Sequence, residues 1–243
     1  MPKTFTSWSV SRYHDYKQCP LKAKLKHLDK IQEPKNQAME RGAAIHTLAE
    51  KYIRSEIKTM PEELTRFAPL FEVLRKRFKR KTVMTVVEDS WAYTKAWAIT
   101  TWDDWTGCWL RVKVDTAWEE SNGVLLIKDW KTGKFRDSDR VLYEEQLELY
   151  ALAAFLQPSY KHIHTVKGEL VYLDLGLTYP TASLDVERLT FVREQEKDLR
   201  KRWETRVKAM FSDTKFAPKP NALCKWCFYR KSNAINGGGQ CPL

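Results

Sequence analysis

Glycine and proline are scarce in this chain, at nine and ten residues among 243. No glycine–serine stretch divides it, no internal repeat recurs, and the only glycine cluster, Gly237 to Gly239, lies near the C-terminus. A chain so rarely punctuated is neither collagenous nor a series of flexible linkers. Long apolar runs are missing too: no window approaches the ~18 apolar residues of a membrane span. The opening residues MPKTFTSWSVSRYHDY lack the apolar centre of a secretory signal. A cytoplasmic, non-membrane protein is therefore expected. Cysteine is limited to Cys19, Cys108, Cys224, Cys227 and Cys241, too few and too unevenly spaced for a secreted disulfide framework. In a reducing compartment these are free thiols or metal ligands. There is no GxxxxGK(S/T) phosphate loop, and no helix-turn-helix or zinc-finger spacing. ATP-driven unwinding and the reading of base edges are therefore not expected of this chain itself.

Charge and aromatic residues are plentiful. Forty-two Lys and Arg oppose 31 Asp and Glu, a net charge of +11. Residues 1–82 carry +10, residues 83–192 carry −6 and residues 193–243 carry +7. An acidic middle between basic flanks suits a cation at the centre and phosphates at the ends, although a solvated basic surface gives the same sum. Ten tryptophans, six of them between Trp91 and Trp118, crowd the middle. Most belong to a core, and one or two are available to stack on unpaired bases.

Periodicity predicts helices over 9–27, with Ser9 or Ser11 as cap, and over 37–58, 62–80, 139–157 and 193–212. β-Branched and aromatic runs predict strands over 83–91, 95–102, 108–118, 123–131, 166–175 and 185–192. Asn122-Gly123 is a hairpin turn signal between two of them. The order reads as an α/β sandwich around a mixed sheet, in one domain over 1–243.

Alternation along 124–131 puts Leu125, Ile127, Asp129 and Lys131 on one face, and Leu126, Lys128 and Trp130 on the other. Asp115 closes the preceding strand, and the turn at 122–123 can bring it beside Asp129. Two adjacent carboxylates repel unless a cation lies between them, and Mg²⁺ favours such an oxygen pair. Lys131 alongside completes the parts for metal-assisted phosphodiester hydrolysis. The same spacing also fits a plain hairpin with surface Asp and Lys residues.

The run VKVD115…LLIKD129WK131TGK resembles the PD-(D/E)XK nuclease superfamily, more closely its RecB/AddB-like branch with the CRISPR-adaptation exonucleases. RGAAIH (Arg41 to His46) resembles that branch's helical histidine motif, EEQLELYALAA its post-catalytic helix, and the opening with Cys19-Pro20 and CKWCFYRK its terminal elements. The resemblance implies a restriction-endonuclease-like mixed β-sheet core flanked by helices, with helical N-terminal and cysteine-bearing C-terminal elements. It places the catalytic core in 83–192 and clasp elements in 1–36 and 213–243. It implies His46, Asp115, Asp129 and the backbone carbonyl of Trp130 as ligands of Mg²⁺ or Mn²⁺, Lys131 as the catalytic lysine, and Gln146 and Tyr150 as its supports. By pattern alone, His46 is also compatible with a core histidine and Tyr150 with a core tyrosine. Glu88 matches an upstream acidic position loosely and is not taken as a ligand.

Cys19, Cys224, Cys227 and Cys241 resemble the branch's [4Fe–4S] clasp, with a longer final gap filled by NGGGQ. Zinc on the same four cysteines, or bare thiols, are the alternatives. Cys108 beside Trp109 is expected to be a core thiol. The activity expected is that of a metal-dependent DNA exonuclease, acting on single strands or free ends in recombination, repair or phage DNA metabolism. A helicase or recombination partner would supply any unwinding, and the setting expected is bacterial or phage-encoded. The alternatives are a structure-specific endonuclease on the same fold and a catalytically idle DNA-binding accessory protein.

Overall fold

The structure is a computed structural model describing residues 4–80, 84–179 and 189–243, with the side chains of 234–236 left aside. Contacts gather the chain into two compact units: residues 36–200, and the two termini 1–35 and 201–243. No described helix is long and apolar enough to cross a membrane.

The larger unit is a mixed α/β fold. Helices α3 (Gln37–Ile53) and α4 (Ala68–Lys79) precede strands β1 (Thr85–Tyr93), β2 (Ile99–Thr100), β3 (Leu110–Ser121) and β4 (Val124–Lys131). Helix α5 (Arg140–Leu156) then leads to β5 (Thr165–Tyr172), β6 (Leu177–Tyr179) and β7 (Thr190–Val192). The seven-stranded sheet runs in the order β2-β1-β3-β4-β5-β6, and β7 also pairs with β5. All pairings are antiparallel except β4–β5, which is parallel and joined through α5. This is the restriction-endonuclease-like arrangement expected.

The two faces of β4 are covered by different helices. Leu126 and Trp130 enter a core with Ile45, Tyr52 and Ile53 of α3 and Phe71 and Leu74 of α4. The opposite face, carrying Asp129, meets α5, which approaches β5 at Gly168. A Cβ on Gly168 would stand 3.0 Å from that of Leu147, so only glycine admits the helix so close.

Several predicted elements are shorter than expected. The helix of 62–80 begins at Ala68, after a 3₁₀ segment, with Pro69 in its first turn. The helix of 37–58 stops at Ile53, and Ser55 then turns left-handed at φ 65°. The run 95–102 yields only the two residues of β2, because its continuation is a loop fastened by Asp104. Cys108 precedes β3 rather than lying within it, yet it is buried as expected. Of the strand expected over 185–192, residues 185–188 lie outside the described residues, as does residue 83 at the start of another.

In the terminal unit α1 (Val10–Gln18) starts at Ser9, whose hydroxyl accepts from Arg12 N. The helix predicted over 9–27 breaks at Cys19, whose extended backbone (φ −161°) is followed by Pro20 opening α2 (Pro20–Ala23). A π-helical turn over Lys24–Leu28 follows. Helix α6 (Glu196–Ser212) brings Trp203 into a stack with Trp8, ring centroids 5.2 Å apart, both fully buried. The two chain ends are joined further by the Tyr16 hydroxyl donating to Asp213 and the Tyr229 hydroxyl donating to Ile31 O.

Candidate active site

Strand register places the acidic residues. β3 and β4 pair from Glu119↔Leu125 to Thr116↔Lys128. The next step would oppose Asp115 and Asp129, but the described ladder ends there. Beyond it, Leu110 to Val114 pair with β1, and Asp129 to Lys131 pair with β5. The strands therefore part at the two aspartates. The Trp130 N–H donates to Asp115 Oδ2 at 2.7 Å, so a side-chain oxygen takes the place of a ladder carbonyl. On the other side of β3, Glu88 sits between Val87↔Thr116 and Asp89↔Val114, opposite Asp115. Its backbone is left-handed, at φ 51°. For a glutamate inside a strand this is strained, and such strain gathers at functional sites.

Asp115 and Asp129 are buried, and Asp129 stands in a closed set of polar contacts. Gln146 Nε2 donates to Asp129 Oδ1 at 2.8 Å, and the Tyr150 hydroxyl donates to the same oxygen at 3.1 Å. Lys131 Nζ lies 2.6 Å from Asp129 Oδ2 and donates to Gln146 Oε1 at 2.9 Å. Gln146 and Tyr150, one turn apart on α5, thus hold the carboxylate and the amine of the Asp-x-Lys pair together. Asp129 Oδ2 is buried and faces the Lys131 ammonium.

His46 enters from α3, on the opposite face of the sheet. Its Nε2 is 3.1 Å from Trp130 O, and its Nδ1 is 3.3 Å from Glu88 Oε1 and 3.4 Å from Asp115 Oδ1. Both ring nitrogens face acceptors, which suits the doubly protonated ring. Burial opposes that charge, but the carboxylates of Asp115 and Glu88 outweigh it and raise the His46 pKa to about 10. Burial and the nearby Asp129 charge push Asp115 upward, against the pull of His46. Burial also raises Glu88, yet His46 and Lys113 win and hold it below the usual carboxylate value. For Lys131 burial lowers the pKa, Asp129 more than reverses it, and the amine stays an ammonium.

The ligand atoms of His46, Glu88 and Asp115 lie within 4.8 Å of one another, a spacing able to hold one metal ion. The donor set, carboxylate oxygens with one imidazole, suits a hard divalent cation. Glu88, set aside in the sequence, belongs to this trio. The oxygens of Asp129, expected as a ligand, face Gln146, Tyr150 and Lys131. In the sequence Glu88 is only a loose match to an upstream acidic position; its place opposite Asp115 comes from the β1–β3 register across the 94–109 connection. Lys128 turns to the other face, as expected, paired with Glu169 and lying over Trp118.

The four remaining cysteines all lie in the terminal unit. Lys219 N donates to Cys19 Sγ at 3.4 Å, Asn221 Nδ2 to Gln18 O at 3.2 Å, and Asn221 N to Cys224 Sγ at 3.3 Å. Cys241 bridges to Arg230, close after Cys227. Burial raises the Cys227 thiol pKa, and the neighbouring Cys241 adds to it. Among the described residues no three cysteine sulfurs come as close together as the His46 trio.

The chain belongs to the PD-(D/E)XK nuclease superfamily, which it matches over residues 7–232. Membership implies a metal-dependent nuclease with a nucleic-acid substrate. Among solved structures, the crystal structure of SSO0001 is similar at 13% identity and a TM-score of 0.42, over 94% of this chain and 86% of that one. No curated protein matches the sequence.

Proposed function

We propose that this chain is a metal-dependent DNA exonuclease that hydrolyses phosphodiester bonds at free ends or in single strands. The observation that carries the reading is the pair Asp115 and Asp129 on neighbouring strands, with Lys131 Nζ 2.6 Å from Asp129. His46, Glu88 and Asp115 would hold Mg²⁺ or Mn²⁺, with Asp129 and the Trp130 carbonyl beside them. The bound cation supplies positive charge for a phosphoryl oxygen and for the attacking water. The remaining work falls to the chain. Lys131 keeps its proton and presents fixed positive charge to the phosphate as negative charge develops there. Gln146 fixes the lysine's direction, and with the Tyr150 hydroxyl it fixes the Asp129 carboxylate. The net charge of +11 favours a polyanion, and the sequence has no base-reading motif, which favours end-directed over sequence-directed cleavage.

The test is cleavage of linear and circular single-stranded DNA in Mn²⁺. Linear DNA is expected to be degraded and the circle spared; a cut circle assigns an endonuclease. Asp129→Ala and Lys131→Ala each lower the rate by about 10²-fold or more while DNA binding persists. Calorimetry finding no Mn²⁺ binding in the wild type would favour an accessory protein with an idle site.

We also infer that Cys19, Cys224, Cys227 and Cys241 hold a [4Fe–4S] cluster, with zinc as the alternative. The reading is supported by four thiols from both chain ends within one unit, and by the Cys19–Lys219 and Asn221–Cys224 contacts that link their segments. Iron, sulfide and zinc analysis of anaerobically purified protein decides between cluster, zinc and bare thiols.

A further inference from the structure

Seven of the ten tryptophans are buried, but Trp102, Trp105 and Trp226 are exposed, Trp105 at 77%. Trp102 and Trp105 share the loop between β2 and β3, and this loop is internally fastened. The Asp104 carboxylate accepts from the Thr100 hydroxyl at 2.6 Å, Gly107 N at 2.7 Å and Thr106 N at 3.2 Å. Cys108 N returns to Asp104 O at 3.1 Å. The Arg111 guanidinium lies over both rings, 5.8 Å from the Trp102 centroid and 5.1 Å from that of Trp105, and Arg111 Nε donates to Trp102 O. Two large apolar rings are thus held out in solvent by a carboxylate clasp and a cation between them.

The loop sits at the head of a line. Arg111, Lys113 and Asp115 share one face of β3; Arg111 is half-buried, Lys113 is exposed, and the line ends at the buried Asp115. Alternate residues on a strand are about 6.6 Å apart, so Arg111 stands about 13 Å from Asp115. That span matches roughly four stacked nucleotides at about 3.4 Å each, and fewer if the strand is extended.

The geometry points to a single-strand platform: unpaired bases stack on Trp105 and Trp102 while the phosphates pass Arg111 and Lys113 toward Asp115. The proposal rests on the nuclease reading and names the form of its substrate. Stacking on a protruding ring needs a base face that a duplex keeps closed, whereas an unpaired base of any kind offers one. Cations on the same face supply the phosphate contacts. This pairing of features favours nucleic acid over a protein partner.

The test measures binding of labelled oligo(dT) and of a duplex of equal length in EDTA, where cleavage is absent. Trp105→Ala is expected to weaken oligo(dT) binding about 5-fold or more, and Trp105→Phe to recover most of it, with duplex binding unchanged. Circular dichroism of both variants should overlay that of the wild type, since the ring is exposed. Unchanged oligo(dT) affinity in Trp105→Ala overturns the proposal, and so does an equal loss for single strand and duplex. A change of oligomeric state without change in DNA binding overturns it in favour of a chain–chain contact. Cleavage by the wild type in Mn²⁺ tests the nuclease reading separately, so either can fail alone.

Discussion

In the unit of residues 36–200, Glu88, Asp115 and Asp129 hang from three neighbouring strands of one sheet; in the terminal unit, Cys19, Cys224, Cys227 and Cys241 hang from a helix cap, short turns and an isolated bridge. The sheet fixes its carboxylates by backbone pairing that extends well beyond the site. Their mutual repulsion is offset by His46 and Lys131, so folding alone places the carboxylates, while His46 would give up a proton to an entering ion. Thiols differ in kind. A protonated cysteine carries no charge, so on the proposed reading the four thiols would add electrostatic ties to the terminal unit only when a metal displaces their protons. Rigid carboxylates on a sheet and neutral thiols on turns are two ways to prepare for a cation, one through folding and one through binding.

Metal removal gives the largest expected contrast. On the proposed cysteine-metal reading, stripping that metal should speed amide exchange over residues 10–28 and 216–230 by about 10²-fold or more, whereas EDTA at the sheet site should leave residues 85–131 protected. Equal protection of the terminal segments with and without metal would break the comparison.

The next effect lies at Asp15. Lys26 Nζ at 2.9 Å, His27 Nε2 at 2.8 Å and Lys22 Nζ at 3.5 Å surround its carboxylate. Burial raises its pKa, but the His27 and Lys26 hydrogen bonds outweigh it and hold the group well below the usual carboxylate range. Asp15→Asn should cost about 1.5–3 kcal/mol in chemical denaturation, since hydrogen bonds to a charged group are lost. Because the folded pKa is depressed, this contribution is fully present above the unfolded value near ~4 and is lost as pH falls toward the folded one. The variant should therefore show a flatter acid limb, and identical acid limbs would count against it.

The smallest effect on stability is expected at Glu88. Glu88→Gly removes the carboxylate nearest His46 and relieves a left-handed backbone strain of about 1–3 kcal/mol. Mn²⁺ affinity by calorimetry should fall while the melting temperature holds or rises. A fall in melting temperature would place the strain elsewhere.

Much of the sheet site was legible because its signals are local. Asp129 and Lys131 share a face by simple alternation, Asn122-Gly123 announced the hairpin that brings Asp115 near, and Gln146 and Tyr150 stand one helical turn apart. Glu88 escaped because its place depends on a pairing across a long connection, and its unusual φ has no sequence signature. The helix over 9–27 looked continuous because its apolar spacing survives the break, which the Cys19-Pro20 pair imposes on the backbone. The run 95–102 read as a strand from its β-branched and aromatic residues, but the side-chain hydrogen bonds of Asp104 claim the chain that follows it.

His46 and Gln146 reach the aspartates from helices on opposite sides of the sheet, so the gap between β3 and β4 is where the two layers meet. Two apolar contacts lie behind that gap. Phe71 lies 5.0 Å, ring to ring, from Trp130, whose carbonyl faces the imidazole, and Leu147 rests on Gly168 beneath the glutamine. Close apolar packing on either side thus backs the charged centre, fixing the strand carbonyl and the helix that face it.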